Sequence, residues 1–355
     1  MTRKQDAKLA NKIFQPPLQS KLARRSRMVI AGLIIFVVVA FFISLMLGRF
    51  PINPDQALGM LVHRFVPIDQ FWTDQQATLF FNVRLPRILL SLLVGCCLAL
   101  AGASYQGIFQ NPLVSPDILG ASQGAAFGAA LAILFGFANW GISVFSFIFS
   151  MLSVLLVLFI SARARGNHMM VVVLAGVMIS SLFSAGVSYA KLVADPTDEL
   201  AEITYWLMGS VTGASFSQIA MVLPIMLVGS AVLFALRWRI NILTMGDDEA
   251  ATMGVNARAI RIVVLIAATL ITAASVCVTG IIGWVGLVIP HLCRMLVGVD
   301  YRKLVPASML MGAGFLLIVD DVARLATTTE IPIGILTAFV GAPFFLFLIT
   351  RKKKI

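Results

Sequence analysis

Charge is scarce in this chain. Asp, Glu, Lys and Arg make up only 12% of its 355 residues, against about 25% in soluble domains, so a water-soluble globule is excluded. The phosphate-binding pattern Gly-x-x-x-x-Gly-Lys-Ser/Thr is missing, and none of the nine lysines follows a glycine. A P-loop needs the glycine-rich backbone cradle and that lysine, so nucleotide phosphates are not held here in that way. No dinucleotide fingerprint sits on a strand–helix unit. His63, His168 and His291 lie far apart and make no metal cluster. Cys96, Cys97, Cys277 and Cys293 all fall in apolar stretches. Their spacing fits neither a disulfide framework nor a zinc site, and they read as small buried hydrophobes. Carboxylates inside the apolar runs are almost absent. Asp117, Asp320 and Asp321 come nearest, and all read as lying near run ends. Ion-driven carriers usually place ionisable groups near the bilayer midplane. Their scarcity argues against ion coupling, although unwound backbone also binds sodium in some carriers.

What the chain has in abundance is apolar length. It is 59% hydrophobic, with mean hydropathy +0.96. A spanning helix takes about 20 apolar residues, and ten runs qualify: 28–48, 79–107, 113–135, 140–162, 169–191, 217–236, 259–278, 282–298, 304–322 and 332–350. The runs are continuous rather than alternating, which excludes a β-barrel. The expected fold is therefore an all-α integral membrane protein of about ten transmembrane helices. With ten spans both termini face one side, and that side holds 21 of the 27 basic residues. By the positive-inside rule it is cytoplasmic. The net charge of +11 then reflects topology and calls for no nucleic acid. Residues 1–27 read as a basic, flexible cytoplasmic tail, free to touch anionic lipid, and residues 28–355 as one membrane domain. The first run is too long and uninterrupted for a cleaved signal peptide.

One charged island interrupts the apolar sequence. It runs from Arg237 to Arg261 (RWRINILTMGDDEAATMGVNARAIR) and must lie in water between two spans. Asp247, Asp248 and Glu249 suit the positive end of a short helix from Asp248 to Met253, and Gly254 suits its end. A capped helix outside the membrane is a handle for a soluble partner. Many spans, no ATPase motif and a cytoplasmic handle point to a transport channel driven by a separate ATPase.

Three stretches make the reading specific. The first is RLPRILLSLLVGCCLALAGASYQGIFQNPLVSPDILGASQGAAFGAAL, Arg84 to Leu131. The second is the island with LTMGDDEAATMGV. The third is GIIGWVGLVIPHLCRMLVGVDYRKLVPAS, Gly280 to Ser308, followed by DDVARLATTTEIPIGILTAFVGAPFFLFLI, Asp320 to Ile349. Together they resemble the permease subunit of binding-protein-dependent ABC importers of the FecCD type, whose members import ferric siderophores, haem, cobalamin or molybdate. The resemblance spans about residues 28–350. It implies a type II ABC importer permease fold of ten helices in a bacterial inner membrane. It further implies a second permease subunit (a copy or a close relative), a cytoplasmic P-loop ATPase dimer carrying ATP and Mg, and a periplasmic binding protein. The chain itself is then no enzyme and binds no cofactor or metal.

The resemblance assigns roles to particular residues. Met245, Gly246, Asp247, Asp248, Glu249, Ala250, Ala251, Thr252, Met253 and Gly254 form the coupling segment that enters a cleft of the ATPase. Arg84, Arg87 and Arg324 face acids on the binding protein, where charge pairs set orientation and on-rate. The simpler alternative is that arginines at span ends snorkel to headgroups. Asn111 and Leu113, in the turn Gln110-Asn111-Pro112-Leu113, and Met169 and Met170 are gate candidates. The two methionines stand where some relatives carry small polar residues. Gly124 and Gly128 read as a small-xxx-small packing pair, with Ser122 and Gln123 as alternative path-lining residues. His291 reads as a polar contact beside Pro290 rather than a ligand. Arg84-x-x-Arg87 and Arg258-x-x-Arg261 echo one another, in keeping with inverted repeats of spans two to five and seven to ten. The cargo first expected is ferric siderophore or haem, with cobalamin or molybdate as alternatives. An ion-coupled secondary transporter is the rival class, and an intramembrane enzyme lacks the constellation it would need.

Overall fold

The computed structural model describes residues 17–63, 66–164 and 168–350. Residues 1–16 of the expected tail, Arg64, Arg165 and the basic residues 351–354 lie outside them. Among the described residues the chain is helical throughout, without strands. The helices are α1 (Pro17–Met46), α2 (Pro54–His63), α3 (Asp74–Ile108), α4 (Ala121–Leu134), α5 (Asn139–Arg163), α6 (His168–Val193), α7 (Glu199–Leu207), α8 (Phe216–Leu243), α9 (Asp247–Thr252), α10 (Ala257–Thr279), α11 (Val285–Val297), α12 (Tyr301–Leu325) and α13 (Ile333–Thr350). Seven of them are long and apolar enough to cross a membrane, and α4, α11 and α13 are shorter apolar helices. Each of the ten falls in one of the ten apolar runs, though not always with the same bounds. The short helices α2 and α7 link spans at the end opposite α9.

Helix ends follow their sequence signals. Thr73 caps α3: its Oγ1 accepts from the Gln76 amide at 3.2 Å while Gln76 Oε1 accepts from the Thr73 amide at 3.0 Å. Ser215 and Gln218 repeat this reciprocal cap at α8. Inside α3 the turn Phe80–Arg84 is π-helical. Pro86, which cannot donate a backbone hydrogen bond, follows directly, and a π turn re-registers the ladder there.

Two expectations need correction. The tail is helical from Pro17, so its last residues extend the first helix rather than hang free. The third run is not a continuous helix: residues 109–115 form a non-helical connection, Pro116–Leu119 a 3₁₀ turn, and α4 begins only at Ala121. Asp117 therefore lies in the turn just ahead of α4 and not inside a helix. The segment holding it packs on α3, α4, α5, α6 and α10, and Gly120, at φ +76°, lies against Ser153 of α5 and Ser180 of α6.

The other short internal helix, α11, follows a second break at residues 280–284, where Trp284 holds a φ of 70°. The two breaks meet. A Cβ at Gly286 would press on the ring of Pro116, and one at Gly102 would overlap the Gly286 carbonyl. The third and eighth of the ten membrane helices are thus both half-length and touch where each begins, an arrangement typical of inverted-repeat transporters. The core lies around α3, α10 and α12, whose interior faces are almost wholly buried. Leu100, Ala268, Ile271, Leu304 and Leu316 are among its fully buried residues. As expected, Gly124 and Gly128 are packing residues: Cβ atoms there would run into the Phe149 and Phe145 carbonyls of α5.

Candidate functional site

Three regions carry the residues singled out by sequence. The first is the handle at the basic end, the end from which α1 starts. The helix α9 runs Asp247–Thr252, one residue earlier than expected, with all three acids in its first turn. Gly246 precedes it at φ +128°. Its end is a Schellman motif: the Val255 amide donates to the Ala250 carbonyl at 2.9 Å and the Gly254 amide to the Ala251 carbonyl at 3.0 Å. Gly254 takes φ +72°, which costs other residues strain. Ala250 is fully buried and seats the helix, while Met245 and Met253 are 62% and 51% exposed. Arg261 of α10 clamps the start: its two terminal nitrogens donate to the two Asp247 carboxylate oxygens at 2.6 and 2.5 Å. That bidentate bond holds the Asp247 carboxyl below the usual carboxylate range. Arg261 Nε also donates to the Ile108 carbonyl at the end of α3. The handle is therefore bolted to two membrane helices and presents acids, Thr252 and two thioethers outward. A push on α9 reaches α3 and α10 directly.

The second region is the far end, which holds the three arginines expected to meet the binding protein. Arg84, Arg87 and Arg324 are 4%, 7% and 6% exposed. Arg87 donates to Asp320 through Nε and one terminal nitrogen, and to both Glu330 carboxylate oxygens at 3.0 and 2.9 Å through the other. Arg324 pairs with Asp321 and with Ser44 at 2.7 Å. Arg84 donates to the carbonyls of Leu45, Met46 and Phe50. Each of the three guanidiniums thus has internal partners. They tie the ends of α1, α3 and α12 at this side together. Snorkelling to headgroups is not seen, because their charges point inward.

Glu330 lies in the loop after α12 and also accepts from Thr212 Oγ1 at 2.6 Å, which joins that loop to the start of α8. Burial alone would raise its carboxyl. The Thr212 hydroxyl, Arg87 and Arg49 instead hold it below the usual range. Sequence reasoning missed Glu330, Ser44 and Thr212. No signal singled them out, because the same end also carries Asp55, Asp69, Asp74, Asp195, Asp198, Glu199 and Glu202. Arg49, an exposed cation of this end, donates to the Arg324 and Thr327 carbonyls.

The third region is the broken segment. Gln110 takes φ 50° and its amide donates to the Leu243 carbonyl at 2.6 Å, which moors the turn to the end of α8. Asn111 Oδ1 accepts from the Leu113 amide at 2.9 Å, a side-chain-closed turn. Asn111 and Leu113 are exposed, as is Met170 near the start of α6. The Met169 side chain lies outside the described residues. Ser122 is buried and donates to Asp117, and Gln123 is half-buried. His291 is half-buried and its Nδ1 has no partner, so the expected polar contact is not made. Among the described residues no group of three His, Cys, Asp or Glu could hold a metal ion.

Comparisons with known proteins converge. A family model described as the FecCD transport family matches residues 33–351. The molybdate import system permease protein of Haemophilus influenzae is 39% identical over 326 residues, covering 92% of this chain and 96% of that one. The hemin transport system permease protein of Yersinia pestis is 38% identical, over 79% of this chain and 86% of its own length. A solved structure described as an inward-facing conformation of a putative metal-chelate type ABC transporter superposes with a TM-score of 0.81 at 39% identity, covering 91% of this chain and 99% of that one.

Proposed function

Because the chain belongs to the FecCD transport family and is an ABC importer permease, we propose that it carries a metal chelate, ferric siderophore or haem, from a periplasmic binding protein to the cytoplasm. ATP is hydrolysed on separate partner chains, and the permease does no covalent chemistry itself. Two permease subunits pair, with the cargo path between them. Both termini and α9 face the cytoplasm.

The observation that carries this reading is α9. It is closed at its C-terminal end by Gly254, clamped to α10 by Arg261, and exposed on the side away from the bundle. A closing movement of the ATPases against this element would tilt α3 and α10 as levers. Leu113 and the start of α6 then narrow the cytoplasmic end of the path. The binding protein lands on the opposite surface, formed by α2, α7 and the loop after α12. The buried arginines keep that platform rigid, and Arg49 offers it an exposed cation.

The test is reconstitution. The permease, its ATPase and its binding protein are placed in proteoliposomes and offered labelled ferric siderophore, haem, cobalamin and molybdate in parallel. Uptake of one cargo that needs ATP and every component is the expected result. Uptake by the permease alone under an ion gradient would make it a secondary carrier and overturn the reading.

A further inference from the structure

At the basic end a cleft of about 1050 Å³ opens between α5, α6 and α10, beside the clamp that holds α9. Its walls are of two kinds. Leu158 of α5, Val172 of α6 and Leu265 of α10 are apolar, while Arg258, Arg261 and Asp247 supply charge. Those charges do not cancel. Arg261 and Asp247 satisfy one another. Arg258 is exposed, as are Asp248 and Glu249 of α9, and the ion pairs among the described residues include none of the three. Arg258 also stands in the first turn of α10, where the positive end of a helix disfavours a cation. Its charge is left for an anion from outside.

A second cation flanks the mouth. Arg163 ends α5 between the lining residues Ala162 and Ala164, with its guanidinium carbon 3.8 Å from the centroid of the Phe159 ring. The remaining described cations of this end stand on α1, α8, α11 and α12. Among them Arg294 is bonded to Tyr301 and Arg302 to Asp300, and none lines the cleft. Below the two arginines the surface turns apolar. Leu155 and Phe159 of α5 and Ile262, Val263 and Ile266 of α10 are exposed, about one to two helical turns deeper than Arg163 and Arg258. A contiguous apolar face of this kind is one that membrane lipid covers. A cationic mouth above such a face matches an anionic phospholipid, with its phosphate at the mouth and an acyl chain below.

We propose that this cleft holds an anionic phospholipid of the adjoining leaflet, its phosphate against Arg258 and an acyl chain along the face shared by α5 and α10. Arg258 lies one turn before Arg261, so the bound lipid braces the clamp of α9. Such a lipid site depends on neither the cargo nor the ATPase.

The test uses the whole chain. The purified protein in detergent is offered equal amounts of phosphatidylglycerol and phosphatidylcholine, and bound lipid is read by native mass spectrometry. Phosphatidylglycerol should be retained in preference. Arg258→Ala should weaken its binding about fivefold, the effect of one basic residue beside an anionic headgroup. Ala162→Trp, which fills the mouth from an exposed position, should weaken it as well. Arg239→Ala, which removes an exposed cation of α8 outside the cleft, should leave it unchanged. Amide exchange across 247–255 should slow when phosphatidylglycerol is added to the wild type, and should not respond in Arg258→Ala. Absence of a preference for phosphatidylglycerol overturns the proposal. Equal losses in Arg258→Ala and Arg239→Ala would reduce the preference to general surface charge and overturn it too. So would complete displacement of the lipid by inorganic phosphate, which would mark an ion site, and amide exchange at α9 that ignores the lipid.

Discussion

At the far end, Arg87 sits between Asp320 and Glu330 with 8% of its side chain exposed and none of Asp320's. At the basic end, Arg261 grips Asp247 through both terminal nitrogens, but 56% of the Asp247 side chain meets solvent. Arg87 and Asp320 lie 233 positions apart and Arg261 and Asp247 only 14, and one member of each pair, Arg87 and Asp247, was read from sequence as part of a contact surface. What separates them is water. A buried pair has given up the hydration of both ions, so each partner depends on the other. An exposed pair gains little, because solvent competes for each ion. The far end is thus a structural rivet and the basic end a moveable joint.

The sharpest way to break that contrast is to remove one partner at each end. Asp320→Ala leaves the Arg87 charge buried against Glu330 alone, and should cost about 3–5 kcal/mol, read as a large drop in the thermal midpoint of the purified chain in detergent. The double change Arg87→Met with Asp320→Leu should recover most of the loss, since a well-packed apolar pair replaces an ionic one at little cost. Glu330→Gln should cost about 1 kcal/mol or less, because Arg87 keeps Asp320 and Glu330 is partly solvated. Equal midpoints for Asp320→Ala and for removal of Arg261 would erase the distinction between rivet and joint.

How much of this was legible beforehand follows the same physics. Membrane helices announce themselves by apolar length, and nine of the ten runs match a helix closely; α9 announced itself by acids at its start and Gly254 at its end. The exception was run 113–135, where an apolar stretch conceals a break. Pro112, Pro116 and Gly120 were visible as helix breakers, but membrane helices tolerate both residue types, so composition could not say that α4 starts at Ala121. The internal partners of the three arginines were hidden for a different reason. The residues RLPR state a charge, while burial and pairing depend on Asp320 and Glu330, 233 and 243 positions from Arg87, and on the end of α1. A single sequence carries no signal for such pairing.

A second, smaller change tests the joint itself. Gly254→Ala places a Cβ on a residue at φ +72°, at a cost of about 1–2 kcal/mol for a non-glycine residue there. Nothing lies within reach of that Cβ, so the penalty is conformational and local. The end of α9 should fray while the thermal midpoint of the bundle hardly moves. Amide exchange across 247–255 should quicken, and uptake per ATP hydrolysed should fall. A drop in the midpoint as large as that of Asp320→Ala would mean that α9 is a structural part of the bundle and not a joint.

The smallest effect belongs to Arg261→Ala, which removes an exposed pair worth at most about 1 kcal/mol. Its pH signature is what distinguishes it. The Asp247 carboxyl is depressed in the folded chain by Arg261, so the contribution of the pair is fully present above the ordinary value of 3.8 and is lost only as pH falls through the lowered one. Between about pH 5 and 8 the wild type and Arg261→Ala should therefore differ by a constant offset, and their midpoints should converge only in stronger acid. Coupling should respond more than stability does, because the clamp is the direct ionic link from α9 to α10. If Arg261→Ala leaves uptake per ATP unchanged, the seating of Ala250 alone carries the motion, and the joint is held by packing rather than by charge.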